Sequence, residues 1–381
     1  MIAIAVALLL AQATPDQVRF QAVQKLAAEG LCAESIPALR ELAAAHPTVA
    51  AIGFLLGQCL FETSDYAGTA IVLQKVAAQE PGFAEVYYYL GSALGMSGKI
   101  PEGIEQLTRA VDVNPEFGAA HRVLGMFRVE SGQMTPETRI ILEHAVKLEP
   151  EDARSEYWLG RYYLAARDYE AARQHLSRSL QLHPESPQTR VSLGQAMLEM
   201  GDSDPALEQF SAVLQHQPDN VDARIGQARC LYAGMQFEQA LIDAEGARRK
   251  ASGAEQQRAA LWISSRIYRA LGRPVDAEAA EKELLVLDRQ FTGRLNAFRK
   301  LQEEAMSRRA AGDTAGVIRA LTEGLAIEER QDSLVMLGDV YAETGRLADA
   351  ERCYVRAGQV GPASDALAER LLKLRERMRV K

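Results

Sequence analysis

Prolines recur along this chain at 47, 81, 115, 150, 184 and 218, with spacings of 34, 34, 35, 34 and 34 residues. A single irregular core imposes no such period, whereas a stack of like supersecondary units does. The dipeptide Leu-Gly keeps the same beat, at Leu56-Gly57, Leu90-Gly91, Leu124-Gly125, Leu159-Gly160 and Leu193-Gly194. Repetition of this kind confines the chain to an array in which each unit packs mainly on its neighbours.

The stretch from Ala84 to Pro115 shows what one unit is. With Ala84 as position 1, Tyr87, Leu90, Gly91 and Leu94 stand at 4, 7, 8 and 11 and form one stripe of a first helix. Gly103, Leu107 and Ala110 stand at 20, 24 and 27 and form a stripe of a second helix. Small residues at 8, 20 and 27 let the two helices approach closely. Gly98, at position 15, supplies the turn, and Pro115 sits at 32 in the connection that follows. These residues at these offsets resemble the tetratricopeptide repeat, a helix–turn–helix unit of about 34 residues. The resemblance covers nearly all of the chain after residue 13. It implies an all-α, right-handed solenoid of about ten helical hairpins, about 20 repeat helices, closed by a C-terminal capping helix.

Taken in order, Met1 to Ala13 reads MIAIAVALLLAQA, uncharged and apolar from Ile2 to Ala11, ending in the small-x-small pattern of a signal-peptidase site. The run is shorter than the ~20 residues of a membrane span. It is expected to be a signal peptide cleaved after Ala13, placing the protein in the periplasm or outside the cell; no Lys or Arg precedes it, and an apolar first helix packed on the repeats stays open. Seven repeats are expected over 14–257, degenerate repeats over 258–330, a clean repeat over 331–364, and the cap over 365–381. The fourth unit, Gly118 to Asp152, carries one extra residue around Met134-Thr135-Pro136. Arg258 to Asn296 and about Phe298 to Arg330 are the eighth and ninth units, with the register between 248 and 330 left open. In the cap, Leu367, Leu371, Leu374 and Met378 share one stripe.

The formal charge of −8 argues against general binding to nucleic acid, and a membrane would be met only through partners. The sequence holds no HExxH, no P-loop, no GxSxG and no paired CxxC, and repeats occupy almost every position from 16 to 364. No enzyme, metal or cofactor is expected. Cys32 and Cys59 fall at levels that antiparallel stacking brings together, so a disulfide and a pair of small buried apolar residues both stay open.

The resemblance also implies a concave groove lined by first helices, where members of the family bind protein segments. If the family register holds, positions 2, 5, 9 and 12 face it. Those positions hold Phe20, Phe54, Phe61, Tyr88, Tyr157, Tyr232 and Trp262, interleaved with Arg122, Arg154, Arg161, Arg229 and Arg266. Rings give contact area at small entropic cost, and arginines offer paired donors to carboxylates. The expected ligand is therefore an extended protein segment with acidic and apolar side chains, bound mainly across repeats three to seven. The competing reading is that these arginines pair with groove acids such as Asp222 and Glu199, leaving the rings as packing. The Lys/Asn clamp by which some members grip acidic chaperone C-termini is missing: its positions hold Phe20, Gln24, Phe54, Gln58, Tyr88 and Ser92. Three functional readings follow: an exported scaffold in cell-envelope assembly or secretion, a polysaccharide-binding or export subunit, and a cytosolic assembly factor.

Overall fold

The computed structural model of the 381-residue chain describes residues 14–327, 330–360 and 365–379. The expected signal peptide, residues 1–13, lies outside them, as does Pro362. Every regular element among the described residues is a helix.

The chain divides into two units, Met1–Ser131 and Gly132–Lys381. The first holds α1 (Pro15–Ala28), α2 (Cys32–Ala45), α3 (Ala50–Glu62), α4 (Tyr66–Gln79), α5 (Ala84–Met96), α6 (Ile100–Val113) and α7 (Gly118–Glu130). The second begins with α8 (Pro136–Leu148), α9 (Ala153–Ala165), α10 (Tyr169–Leu182), α11 (Pro187–Met200) and α12 (Ser203–His216). It continues with α13 (Val221–Ala233), α14 (Phe237–Lys250), α15 (Ala254–Ala270) and α16 (Pro274–Ala310). It ends with α17 (Thr314–Ile327), α18 (Gln331–Glu343), α19 (Leu347–Val360) and α20 (Asp365–Arg379). Within each unit, every helix packs on the next in sequence, and first helices of successive repeats also touch, as α3 does α5 and α11 does α13.

Two local devices recur along the hairpins. The first is a left-handed residue at the turn. Gly30, Ser64, Gly98, Gly132, Arg167, Gly201, Met235, Gly272, Gly312 and Gly345 all have positive φ, one per repeat. That geometry ends the first helix and folds the next N–H back onto it. Lys99 N donates to Leu94 O at 2.9 Å, Asp202 N to Met197 O at 2.9 Å and Gln236 N to Leu231 O at 2.8 Å. The second device is the close approach of position 8 to position 24. A β-carbon on Gly91 would lie 2.8 Å from the Gly103 carbonyl oxygen and 2.8 Å from Leu107 Cγ. The same contact recurs as Gly57 on Leu73, Gly160 on Leu176, Gly194 on Phe210 and Gly338 on Tyr354. Where position 8 is instead Ala228, position 24 shrinks to Ala244, and both are fully buried. Of the residues expected inside the Ala84–Pro115 hairpin, Leu90, Gly91, Leu107 and Ala110 are buried, while Leu94 is half-buried.

The count of about twenty repeat helices is reduced by one at α16. There the second helix of the eighth unit and the first helix of the ninth are one continuous helix of 37 residues. No proline stands where the two helices would part, although the α14–α15 and α17–α18 boundaries also form without one. Both ends of α16 keep their repeat roles, with Ala277 and Ala280 buried at one end and Phe298 and Ala305 at the other. The cap α20 seats Leu367 and Leu374 in a core with Leu334, Leu347 and Tyr354, with Leu371 packed alongside, while Met378 is exposed.

In the first unit, Cys32 opens α2 and Cys59 lies late in α3, and the two form a disulfide with α-carbons 4.8 Å apart. Burial pushes the thiol of free Cys230 up to about 11, so it does not ionise at neutral pH.

Two substitutions test these devices. Gly91→Ala is expected to push α5 from α6 against backbone, lowering stability by about 1–3 kcal/mol in chemical denaturation. Met235 is 78% exposed at φ 59°, so Met235→Gly relieves a strained backbone without losing packing, an expected gain of about 0.5–1 kcal/mol.

Candidate functional site

The face to which the sequence points is built by the first helix of each hairpin. On these helices positions 5, 9 and 12 share one stripe, and the turn glycines and position 8 fix its orientation.

In the first unit the stripe carries a run of touching rings. Phe54 on α3 meets Phe83 at 4.6 Å between centroids and Tyr89 on α5 at 5.9 Å. Phe61 meets Tyr66 and Tyr89, both at 5.5 Å. Tyr88 meets Tyr89 at 5.1 Å and Phe117 at 5.0 Å. Phe54, Phe61 and Tyr88 are half-buried, as is Phe20, which packs on the core of α1 to α3. Such edge-on and tilted contacts stabilise beyond the area they bury. Tyr89, Phe83 and Phe117 were not among the residues singled out from sequence. The signal for the last two is the period itself, since Phe83 and Phe117 stand 34 apart, as Phe54 and Tyr88 do. Arg122, on α7, is buried at 7% exposure and so is not part of an open face.

In the second unit the arginines divide into two kinds. Arg154 donates from Nε to Asp152 at 2.9 Å, and Arg229 donates to Glu199 at 2.7 Å. For Arg229 the competing reading of an internal ion pair therefore holds. Asp222 accepts instead from the Gln256 amide at 3.2 Å. Arg161 and Arg266 behave otherwise and lie on rings. The Arg161 guanidinium sits 5.8 Å from the Tyr157 centroid and 5.9 Å from that of Trp158, and its Nη1 donates to the Tyr157 hydroxyl at 3.0 Å. Arg266 sits 4.7 Å from Trp262 and 5.4 Å from Tyr232. Trp158, also unforeseen, meets Tyr157 edge-on at 5.1 Å. Beside that pair a cleft of about 230 Å³ opens between α9 and the start of α11, lined by Arg154, Tyr157, Trp158, His183 and Gln188.

Among its described residues the stripe carries no group arranged for chemistry that the geometry itself identifies. It offers ring faces and guanidinium edges, with Trp262 44% exposed. Among the described residues no group of three or more His, Cys, Asp or Glu is arranged to hold a metal ion. No helix among them is long and apolar enough to cross a membrane.

Family matches agree with this geometry. The family described as Tetratricopeptide repeat matches residues 20–84, 163–214 and 197–242. The chain carries tetratricopeptide repeats, and its described residues form consecutive helix pairs with no strand. Proteins of this kind are in general non-catalytic scaffolds that bind protein partners. Among curated proteins, none matches the chain. Solved structures similar to it include PilF of Pseudomonas aeruginosa, 21% identical, covering 54% of this chain and 91% of that one, with a TM-score of 0.46. A tetratricopeptide repeat protein of Parabacteroides merdae is 16% identical, covering 61% and 90% respectively, with a TM-score of 0.48. YrrB, described as having an unusual peptide-binding site, is 20% identical, covering 51% and 97%, with a TM-score of 0.42.

Proposed function

We propose that this protein is an exported interaction scaffold that holds an extended, partly acidic protein segment against the first helices of its repeats, in cell-envelope assembly or secretion. The observation that carries the reading is the state of Arg161. Its guanidinium rests on Tyr157 and Trp158 beside an open cleft, and no acidic side chain among the described residues forms an ion pair with it. A guanidinium backed by rings keeps its N–H edge for a carboxylate, and the adjoining rings take an apolar neighbour.

Export is supported by two features that arise separately. The apolar start ends at Ala11-Gln12-Ala13, where a signal peptidase would cut. The Cys32–Cys59 bridge is of the kind that persists in oxidising compartments.

Two measurements test this reading. The double variant Tyr157→Ala with Arg161→Glu, shown to be folded by its helical circular dichroism, is expected to lose crosslinked partners that the unaltered protein recovers from native envelopes. Unchanged recovery of every partner would contradict it. Export predicts a mature N-terminus at Thr14 and a disulfide whose reduction lowers the stability of the N-terminal repeats by about 3 kcal/mol. Intact Met1 on cytosolic protein with both thiols free would move the protein to the cytosol.

A further inference from the structure

The repeat register allows one arginine to be compared with another in the same structural place. Arg229 is the ninth residue counted from Val221, and Arg266 is the ninth counted from Arg258. The positive-φ residue that ends each first helix stands at the fifteenth place in both, Met235 and Gly272, so the two counts are in step. Arg229 is satisfied from the preceding repeat: Glu199, thirteenth from Pro187, accepts from its Nη2 at 2.7 Å. The thirteenth residue counted from Val221, the counterpart of Glu199 one repeat on, is Ala233. At the place that would hold an acid for Arg266 there is only a methyl group. Arg266 lies instead across Trp262 and Tyr232, exposed, with no ion pair to any acidic side chain among the described residues.

We infer that Arg266, backed by Trp262 and Tyr232, is the anchor for a single carboxylate side chain of the extended partner, which takes the place that Glu199 fills for Arg229. The inference rests on the interaction reading above and locates its acidic contact. Rings can engage the face of a guanidinium but leave its in-plane donors unmatched. Those donors suit a planar carboxylate, and in the neighbouring repeat one of them, Nη2 of Arg229, is met by Glu199. Trp262, 44% exposed, then offers its free surface to an apolar residue beside the acid. The ligand is thus a Glu or Asp flanked by apolar side chains in an extended peptide.

The chain has two tryptophans, so a Trp158→Phe background leaves Trp262 as the sole reporter. In that background the probe is the blocked peptide acetyl-Ala-Phe-Glu-Phe-Ala-amide, titrated by tryptophan fluorescence. Its Gln counterpart and inorganic phosphate are run beside it. A saturable shift with the Glu peptide is expected, and at least tenfold weaker binding of the Gln peptide and of phosphate. Arg266→Gln is expected to weaken the Glu peptide at least tenfold. Ala233→Glu is expected to do the same, by supplying Arg266 with an internal acid; Ala233 is exposed, so the added side chain has room. Equal binding of the Glu and Gln peptides, tighter binding of phosphate, no saturation, or an unchanged titration in Ala233→Glu and Arg266→Gln would each overturn the assignment. Tyr157→Ala with Arg161→Glu leaves this cluster intact. If that variant loses envelope partners while the titration fails, the scaffold reading stands and Arg266 is not its anchor.

Discussion

The contact on which the structure depends is the seating of position 24 on the bare α-carbon of position 8. At Gly91 the limit is backbone, since the carbonyl of Gly103 lies where a β-carbon would go. The first helix therefore cannot shift on the second, and its outward stripe is set in direction. At Gly194 and Gly226 one ring, Phe210, fills the space of two absent side chains, tying a hairpin to the next first helix. Close packing of this kind transmits position from repeat to repeat, so that residues 34 apart become neighbours on one face. The ring contacts from Phe54 to Phe117 and the cross-repeat pair of Arg229 with Glu199 both follow from that spacing.

The same repetition explains what could be read beforehand. Glycines at positions 8 and 15 and prolines at 32 are backbone requirements, and such requirements write themselves into the sequence at fixed offsets. Ser64 and Arg167 occupy the left-handed turn with no glycine beside them, so those turns are recognised only by register, while at Met235 the glycine stands one place earlier, at Gly234. The long α16 escaped for the opposite reason. Its middle lacks a breaker, and the loss of a signal marks no boundary. The expected count of about twenty repeat helices thus falls by one where hydrogen bonding could simply continue.

Less of the interaction face was legible, because side-chain partnership depends on neighbours a full repeat away. Arg154, Arg161, Arg229 and Arg266 look alike in sequence. Two are bound by carboxylates and two lie on rings, a division decided by Asp152, Glu199 and the residues standing in equivalent places. Arg122 shows the converse, a charged residue at a groove position that is buried. Burial pushes the Tyr268 phenol upward, as does the nearby Glu245 carboxylate that accepts from it, and that tie between α14 and α15 holds the helix bearing Trp262 and Arg266. The face is thus positioned by contacts made elsewhere in the hairpins.

The central claim is that partners meet the first helices and not the second. A photo-crosslinking residue placed at Trp158, on α9, and in a separate variant at Ile242, 67% exposed on α14, compares first and second helices directly in cells. The account predicts a discrete adduct from position 158 and none from 242. An adduct from 242 with none from 158 would contradict it.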